Sequence, residues 1–114
     1  MKLNHPVGAK AEQIAFEYLQ QQGLKLIERN WHCPFGEIDL IMQERNSYIF
    51  IEVKYRKTKL FGGAIYSINQ AKCARIMRTA EFYLQTKRID APCRIDAVIL
   101  QANETPVWLK NILG

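Results

Sequence analysis

Residues 36–56 read GEIDLIMQERNSYIFIEVKYR, and their alternation decides what fold to expect. Successive residues of a strand point to opposite faces of its sheet. Ile38, Leu40 and Met42 therefore share one face of a first strand, about Glu37–Gln43, and Ile49, Ile51 and Val53 share one face of a second, about Tyr48–Tyr55. Between them lies Arg45-Asn46-Ser47, whose Asn tolerates positive φ and suits a tight hairpin. A two-residue turn at Arg45-Asn46 would set Ile41 opposite Phe50, Asp39 opposite Glu52 and Glu37 opposite Lys54.

Two carboxylates facing each other across a sheet repel unless something positive lies between them. A divalent cation would neutralise Asp39 and Glu52, and Mg²⁺ takes its oxygen ligands from one or two carboxylates plus substrate phosphate. Lys54, two residues beyond Glu52, projects from the same face and could orient a water or stabilise charge on a phosphorane. Phosphodiester hydrolysis needs those parts: a Lewis acid, an in-line water and a nearby cation. The plainer reading is an exposed sheet face with surface ion pairs, Glu37–Lys54 among them. Ile41 and Phe50 lie on the same face as the charges, which favours a partly buried cleft.

Working outward, a helix is expected from about Pro6 to Gln22, with Pro6 near its first position and Gly23 as its stop. Val7, Ala11, Ile14, Ala15, Tyr18 and Leu19 form its apolar stripe, with Glu12 about a third of a turn away. A strand follows at about Leu24–Trp31, ahead of the hairpin. After Gly62-Gly63, Ser67 and Gln70 form a capping box for a second helix, about Ile68–Thr86, with Cys73, Ile76, Met77, Ala80, Tyr83 and Leu84 as its buried stripe. Strands at about Arg94–Leu100 and Val107–Ile112 complete an α-β-β-β-α-β-β order in one domain, residues 1–114. The β-α-β step implies a right-handed crossover, so the fourth strand should run parallel to the third or a near neighbour in a mixed sheet. That order alone names no function.

The chain is 48% hydrophobic, with a net charge of +5 and a pI near 9.2, which favours polyanionic partners, nucleic acid first. Lys54, Arg56, Lys57 and Lys59 cluster, and Lys72, Arg75 and Arg78 recur along one side of the second helix. Apolar runs are too short to span a bilayer and no secretory signal opens the chain, so a cytoplasmic protein without a membrane role is expected. Cys33, Cys73 and Cys93 have no paired spacing, which argues against a disulfide framework and a structural zinc site; His32-Cys33 reads as a strand end.

Gly36-Glu37-Ile38-Asp39-Leu40-Ile41 and Ile51-Glu52-Val53-Lys54-Tyr55-Arg56 resemble the two central motifs of the YraN-like family of bacterial proteins, within the PD-(D/E)xK, restriction-endonuclease-like superfamily. Gly8 to Glu12 with Ala15 and Leu19 is similar to the family's opening helix motif, except that Ala11 stands where glycine is usual. Arg29-Asn30, Phe61-Gly62 with Lys72, and Arg94-Ile95-Asp96 extend the likeness to about Leu100. The resemblance implies a restriction-endonuclease-like α/β fold, a mixed sheet flanked by helices. It implies that Asp39 is a metal-binding aspartate, that Glu52 and Lys54 form the (D/E)xK pair, and that Glu12 is a further ligand like that of archaeal Holliday junction resolvases. Lys72 corresponds to a basic residue that could touch phosphate.

The reading is a nuclease dependent on Mg²⁺ or Mn²⁺ acting on DNA, branched or structured DNA included. Asp39, Glu52 and Lys54 would be catalytic and Glu12, Asp39 and Glu52 would hold metal, helped by a carbonyl near Val53. Arg56, Lys57, Lys59, Lys72 and Arg75 would grip the backbone. The alternative is a nucleic-acid-binding module that keeps the fold without cutting; a third, weaker reading gives the basic surface a protein partner. Cutting two strands takes two active sites, so a two-fold homodimer is compatible with this role, although no residue pattern requires one.

Overall fold

The computed structural model describes residues 6–56, 70–101 and 104–113. Helix α1 (Pro6–Gln21) precedes strands β1 (Lys25–Cys33), β2 (Gly36–Glu44) and β3 (Ser47–Arg56); α2 (Gln70–Thr86), β4 (Cys93–Gln101) and β5 (Val107–Leu109) follow. Lys57, Lys59, Phe61-Gly62, Gly62-Gly63, Ser67 and the first two expected residues of the second helix, Ile68 and Asn69, lie outside the described residues. Among the described residues no helix is long and apolar enough to cross a membrane.

Gly23 stops α1 as expected. It adopts φ 101°, which glycine takes without penalty, and Leu24 N–H then donates to the Leu19 carbonyl at 3.1 Å. The strands form one mixed sheet in the order β1-β2-β3-β4-β5. Only β3 and β4 run parallel, the arrangement the crossover through α2 requires. The hairpin has the expected register, Ile41 opposite Phe50 and Glu44 opposite Ser47. The positive φ falls on Arg45 (56°) rather than on Asn46. It is the first central residue that takes positive φ in both primed hairpin turns, whereas the second does so in only one of them.

The two helices cover opposite faces. Ala11, Ala15 and Leu19 of α1 pack on Leu40, Met42, Ile49, Ile51, Val98 and Leu100. Ile76, Ala80 and Tyr83 of α2 pack on Ile38, Ile41, Phe50 and Ile95. Two stripe residues are misjudged by periodicity: Ile14 is 41% exposed and Met77 48% exposed, whereas Thr79 is fully buried. A side chain at the margin of a helical stripe can fall on either side of the contact line, and Thr79 is admitted because its hydroxyl donates to the Arg75 carbonyl at 2.8 Å.

Alternation along β2 breaks at Asp39. Ile38 does not share a face with Leu40 and Met42; it packs with Ile41 on the α2 side. The β2–β3 ladder ends at Leu40 and Ile51, although β2 reaches back to Gly36 and β3 runs on to Arg56. Past that point each strand stays paired to its other neighbour, β2 to β1 as far as Gly36 and β3 to β4 as far as Arg56. The sheet therefore forks. On the β1 side, Arg29 pairs with Leu40 and Trp31 with Ile38, so Asn30 lies across from Asp39, and Asn30 adopts φ 50°, a conformation asparagine tolerates better than most.

Candidate functional site

The mouth of the fork opens into a cavity of about 480 Å³ lined by Glu12 from α1, Glu37 and Asp39 from β2, Glu52 and Lys54 from β3, and Lys72 and Arg75 from α2. An intact sheet separates its two faces. Here the parted strands let residues from both helix layers line one space.

Asp39 does not oppose Glu52 as a ladder pair. Its Oδ2 accepts a hydrogen bond from Val53 N–H at 2.8 Å, so a side chain satisfies a backbone donor that the parted ladder would leave unpaired. Nor does the ladder reach Glu37 and Lys54. The Lys54 ammonium instead lies 3.4 Å from Glu52 on its own strand, and Lys72 makes an ion pair with the same Glu52 oxygen. The positive charge expected between the two carboxylates is supplied by Lys72, which feels the attraction of both Glu52 and Asp39.

Two ammonium groups on one carboxylate cannot be equally content. Lys54 is held below the ordinary lysine value by its contact with Lys72 first and by burial second, against the pull of Glu52. Burial, the largest single influence on Lys72, acts downward, but hydrogen bonds to Glu52 and Lys54 and the charges of Glu52 and Asp39 together raise it. Lys72 is thus the firmer cation, and Lys54 the readier to release a proton.

Gly36 fits α2 against the fork. A Cβ there would lie 2.9 Å from Thr79 Oγ1 and 3.2 Å from Arg75 Cγ, so only glycine allows this approach. Of the expected phosphate-gripping residues, Lys72 and Arg75 line the cavity. Arg56, half-buried at the end of β3, does not line it. Glu12, Asp39 and Glu52 share the cavity, but among the described residues no three His, Cys, Asp or Glu side chains gather as a metal cage.

Sequence reasoning missed the hydrogen bond of Val53 N–H to Asp39, the role of Thr79 and Gly36 in seating α2, and the part played by Asp96. Asp96 is fully buried on β4 and accepts from Arg94 Nε (2.8 Å) and Nη2 (2.9 Å), Trp108 Nε1 (2.9 Å) and Asn111 N–H (2.8 Å). This carboxylate ties β5 and the segment after it to the sheet. The sequence signal for it was Asp96 interrupting the apolar run of β4.

A model described as uncharacterised protein family UPF0102 matches residues 11–100. A UPF0102 protein of Neisseria gonorrhoeae is 50% identical over 115 residues, covering all of both chains. One from Shewanella loihica is 50% identical over 104 residues, 91% of this chain and 90% of its own. Among solved structures, Hjc of Archaeoglobus fulgidus, a Holliday junction resolvase, superposes with a TM-score of 0.59 at 15% identity, over 87% of this chain and 72% of that one. The α/β fold expected from the order of elements and implied by the resemblance is therefore shared with that resolvase. Matched from the first helix to the fourth strand, and half identical to relatives along its whole length, the chain belongs to the UPF0102 family, the YraN-like proteins.

Proposed function

We propose that this chain is a metal-dependent nuclease that hydrolyses phosphodiester bonds in DNA, with branched or structured DNA as its substrate. The observation that carries the reading is the fork, which gathers Asp39, Glu52 and Lys54 with Lys72 and Arg75 in one cleft on a resolvase fold. The donor set fits a hard cation. Asp39, Glu52 and Glu12 are carboxylates lining one cavity, and Mg²⁺ needs only one or two, completing its shell with water and phosphate oxygens. When bound, Mg²⁺ or Mn²⁺ would supply Lewis-acid polarisation of the phosphate and a more acidic water.

The chain's own residues would do the rest. Asp39 stays oriented by Val53 N–H, and its carboxylate would be a ligand of the ion. Lys54, held below the ordinary lysine value by its contact with Lys72, positions the attacking water. Lys72 moves from Glu52 to a phosphate oxygen, and Arg75, Arg56, Lys57 and Lys59 hold the backbone, contacts that fix register without reading sequence. This role suits a cytoplasmic protein, and a two-fold homodimer would bring two clefts to the two strands.

The test is cleavage of linear, flapped and four-way DNAs with Mg²⁺, Mn²⁺ or EDTA, by the parent, Asp39→Asn and Glu52→Gln. Metal-dependent cutting lost in both variants is expected; a parent that cuts none of them overturns the reading. A second reading, a DNA-binding module without catalysis, draws support from the closure of Lys72 over Glu52. It requires binding that is equal with and without chelator, and no cutting.

A further inference from the structure

Beside the cleft lies an aromatic group that the proposed chemistry leaves unused. Phe35, in the turn between β1 and β2, meets Phe82 of α2 edge-on with ring centroids 5.4 Å apart. Trp31 of β1 lies 6.3 Å from Phe82, and the Arg78 guanidinium lies over the Phe35 ring at 5.5 Å. Trp31 packs against the core cluster on the α2 side, but Phe35 and Phe82 belong to neither core cluster. Phe35 is 39% exposed, and Arg78 is exposed beside it.

This group is continuous with the cleft. Gly36, the residue after Phe35, lines the cavity and sits against the Arg75 side chain. Arg75, Arg78 and Phe82 follow one another at three- and four-residue spacing, which places them along one side of α2. A phosphate backbone held at Arg75 would lead to Arg78 and to the Phe35 ring.

We propose that Phe35, Arg78 and Phe82 form a stacking platform for an unpaired nucleobase of the DNA whose backbone enters the cleft. The proposal rests on the DNA-cleaving reading and narrows its substrate class to flaps, single-stranded tails and opened junctions, in preference to blunt duplex. Bases inside a duplex already have both faces stacked, so an aromatic platform is satisfied only by a base with one face free. The Arg78 guanidinium lies over one face of the Phe35 ring, so a base would stack on that planar cation or take its place against the ring while Arg78 turns to the adjoining phosphate, and the charge of +5 complements such a ligand.

The experiment is fluorescence anisotropy in EDTA, where no cutting occurs, with a blunt duplex and the same duplex carrying an unpaired flap. The parent should bind the flapped probe more tightly, by about five- to 150-fold for one stacked base. Phe35→Ala should lose most of that preference while blunt-duplex affinity stays unchanged, and Phe35→Trp, which keeps a stacking face, should retain it. Circular dichroism melts of both variants confirm that they fold, as expected for a residue outside the core clusters. A parent without flap preference, or a Phe35→Ala protein that keeps it, overturns the platform. If the platform fails while Mg²⁺-dependent cutting survives and is lost in Asp39→Asn, the nuclease reading stands. If flap preference depends on Phe35 but nothing is cut, the platform stands and the nuclease reading falls.

Discussion

The Lys72 ammonium rests on the Glu52 carboxylate, within the field of Asp39, so a helix residue occupies the place of a cation in the fork. Lys72 and a metal ion then compete for one carboxylate. Lys72→Met should tighten Mg²⁺ binding in the absence of DNA by about tenfold, the equivalent of one charge-assisted hydrogen bond no longer broken. The same variant should melt lower than the parent without metal, because Glu52 loses a cationic partner. Titration calorimetry with MgCl₂ and melts with and without it are the measurements; unchanged Mg²⁺ affinity would separate Lys72 from the metal position.

Asp39 has two jobs that substitution can separate. Asp39→Asn keeps an acceptor for Val53 N–H and removes a charge that repels Glu52 but attracts Lys72, so the metal-free protein should be about as stable as the parent. Asp39→Ala orphans that N–H and should lose about 1–3 kcal/mol. Both should lack Mg²⁺-dependent cleavage. Urea unfolding in chelator, run beside the cleavage assay, distinguishes the two effects.

Gly36→Ala forces a Cβ to within 2.9 Å of Thr79 Oγ1. Overpacking of this kind destabilises by about 1–3 kcal/mol, and displacing α2 should also weaken cleavage by moving Lys72 and Arg75. Adding Thr79→Ala removes the nearest clashing atom but leaves the φ of 156° and the Arg75 Cγ contact at 3.2 Å, so the double variant should recover only part of the stability lost in Gly36→Ala. A double-mutant cycle on urea midpoints reads the coupling.

Asp96 should prove structural. Asp96→Ala leaves Arg94, Trp108 Nε1 and Asn111 N–H without their acceptor and should lower stability by about 3 kcal/mol. Arg94 retains Glu44 at 3.5 Å, which keeps the loss at the low end for a broken buried pair. Activity per folded molecule at low temperature should be unchanged; loss of cutting without loss of stability would instead assign Asp96 to the chemistry.

Tyr83 gives the fold an alkaline dependence. Burial and then the Glu28 carboxylate, which accepts from its hydroxyl at 2.9 Å, hold the phenol well above its ordinary value. The unfolded chain loses this proton near pH 10 while the native chain keeps it, so stability is fully present below about pH 10 and falls as pH rises beyond it. Tyr83→Phe should flatten that fall between about pH 9.5 and 11, measured as urea midpoints at each pH.

The sequence by itself determined the elements, the hairpin register and the parallel placement of β4. Each depends on local periodicity, turn length or chain handedness, and residues near in sequence settle those. It also marked Asp39, Glu52 and Lys54 as one constellation, to which the family resemblance added Glu12. Only the tertiary structure decided how these side chains meet. Where the β2–β3 ladder stops depends on competition between the backbone of Ile38 and the Asp39 carboxylate for Val53 N–H, and on the bend at Asn30 across β1. That Lys72, some twenty residues along the chain, closes over Glu52 depends on how near α2 lies, which Gly36 and Thr79 set. Periodicity describes one element at a time, and a fork between two strands covered by two helices is a property of all four.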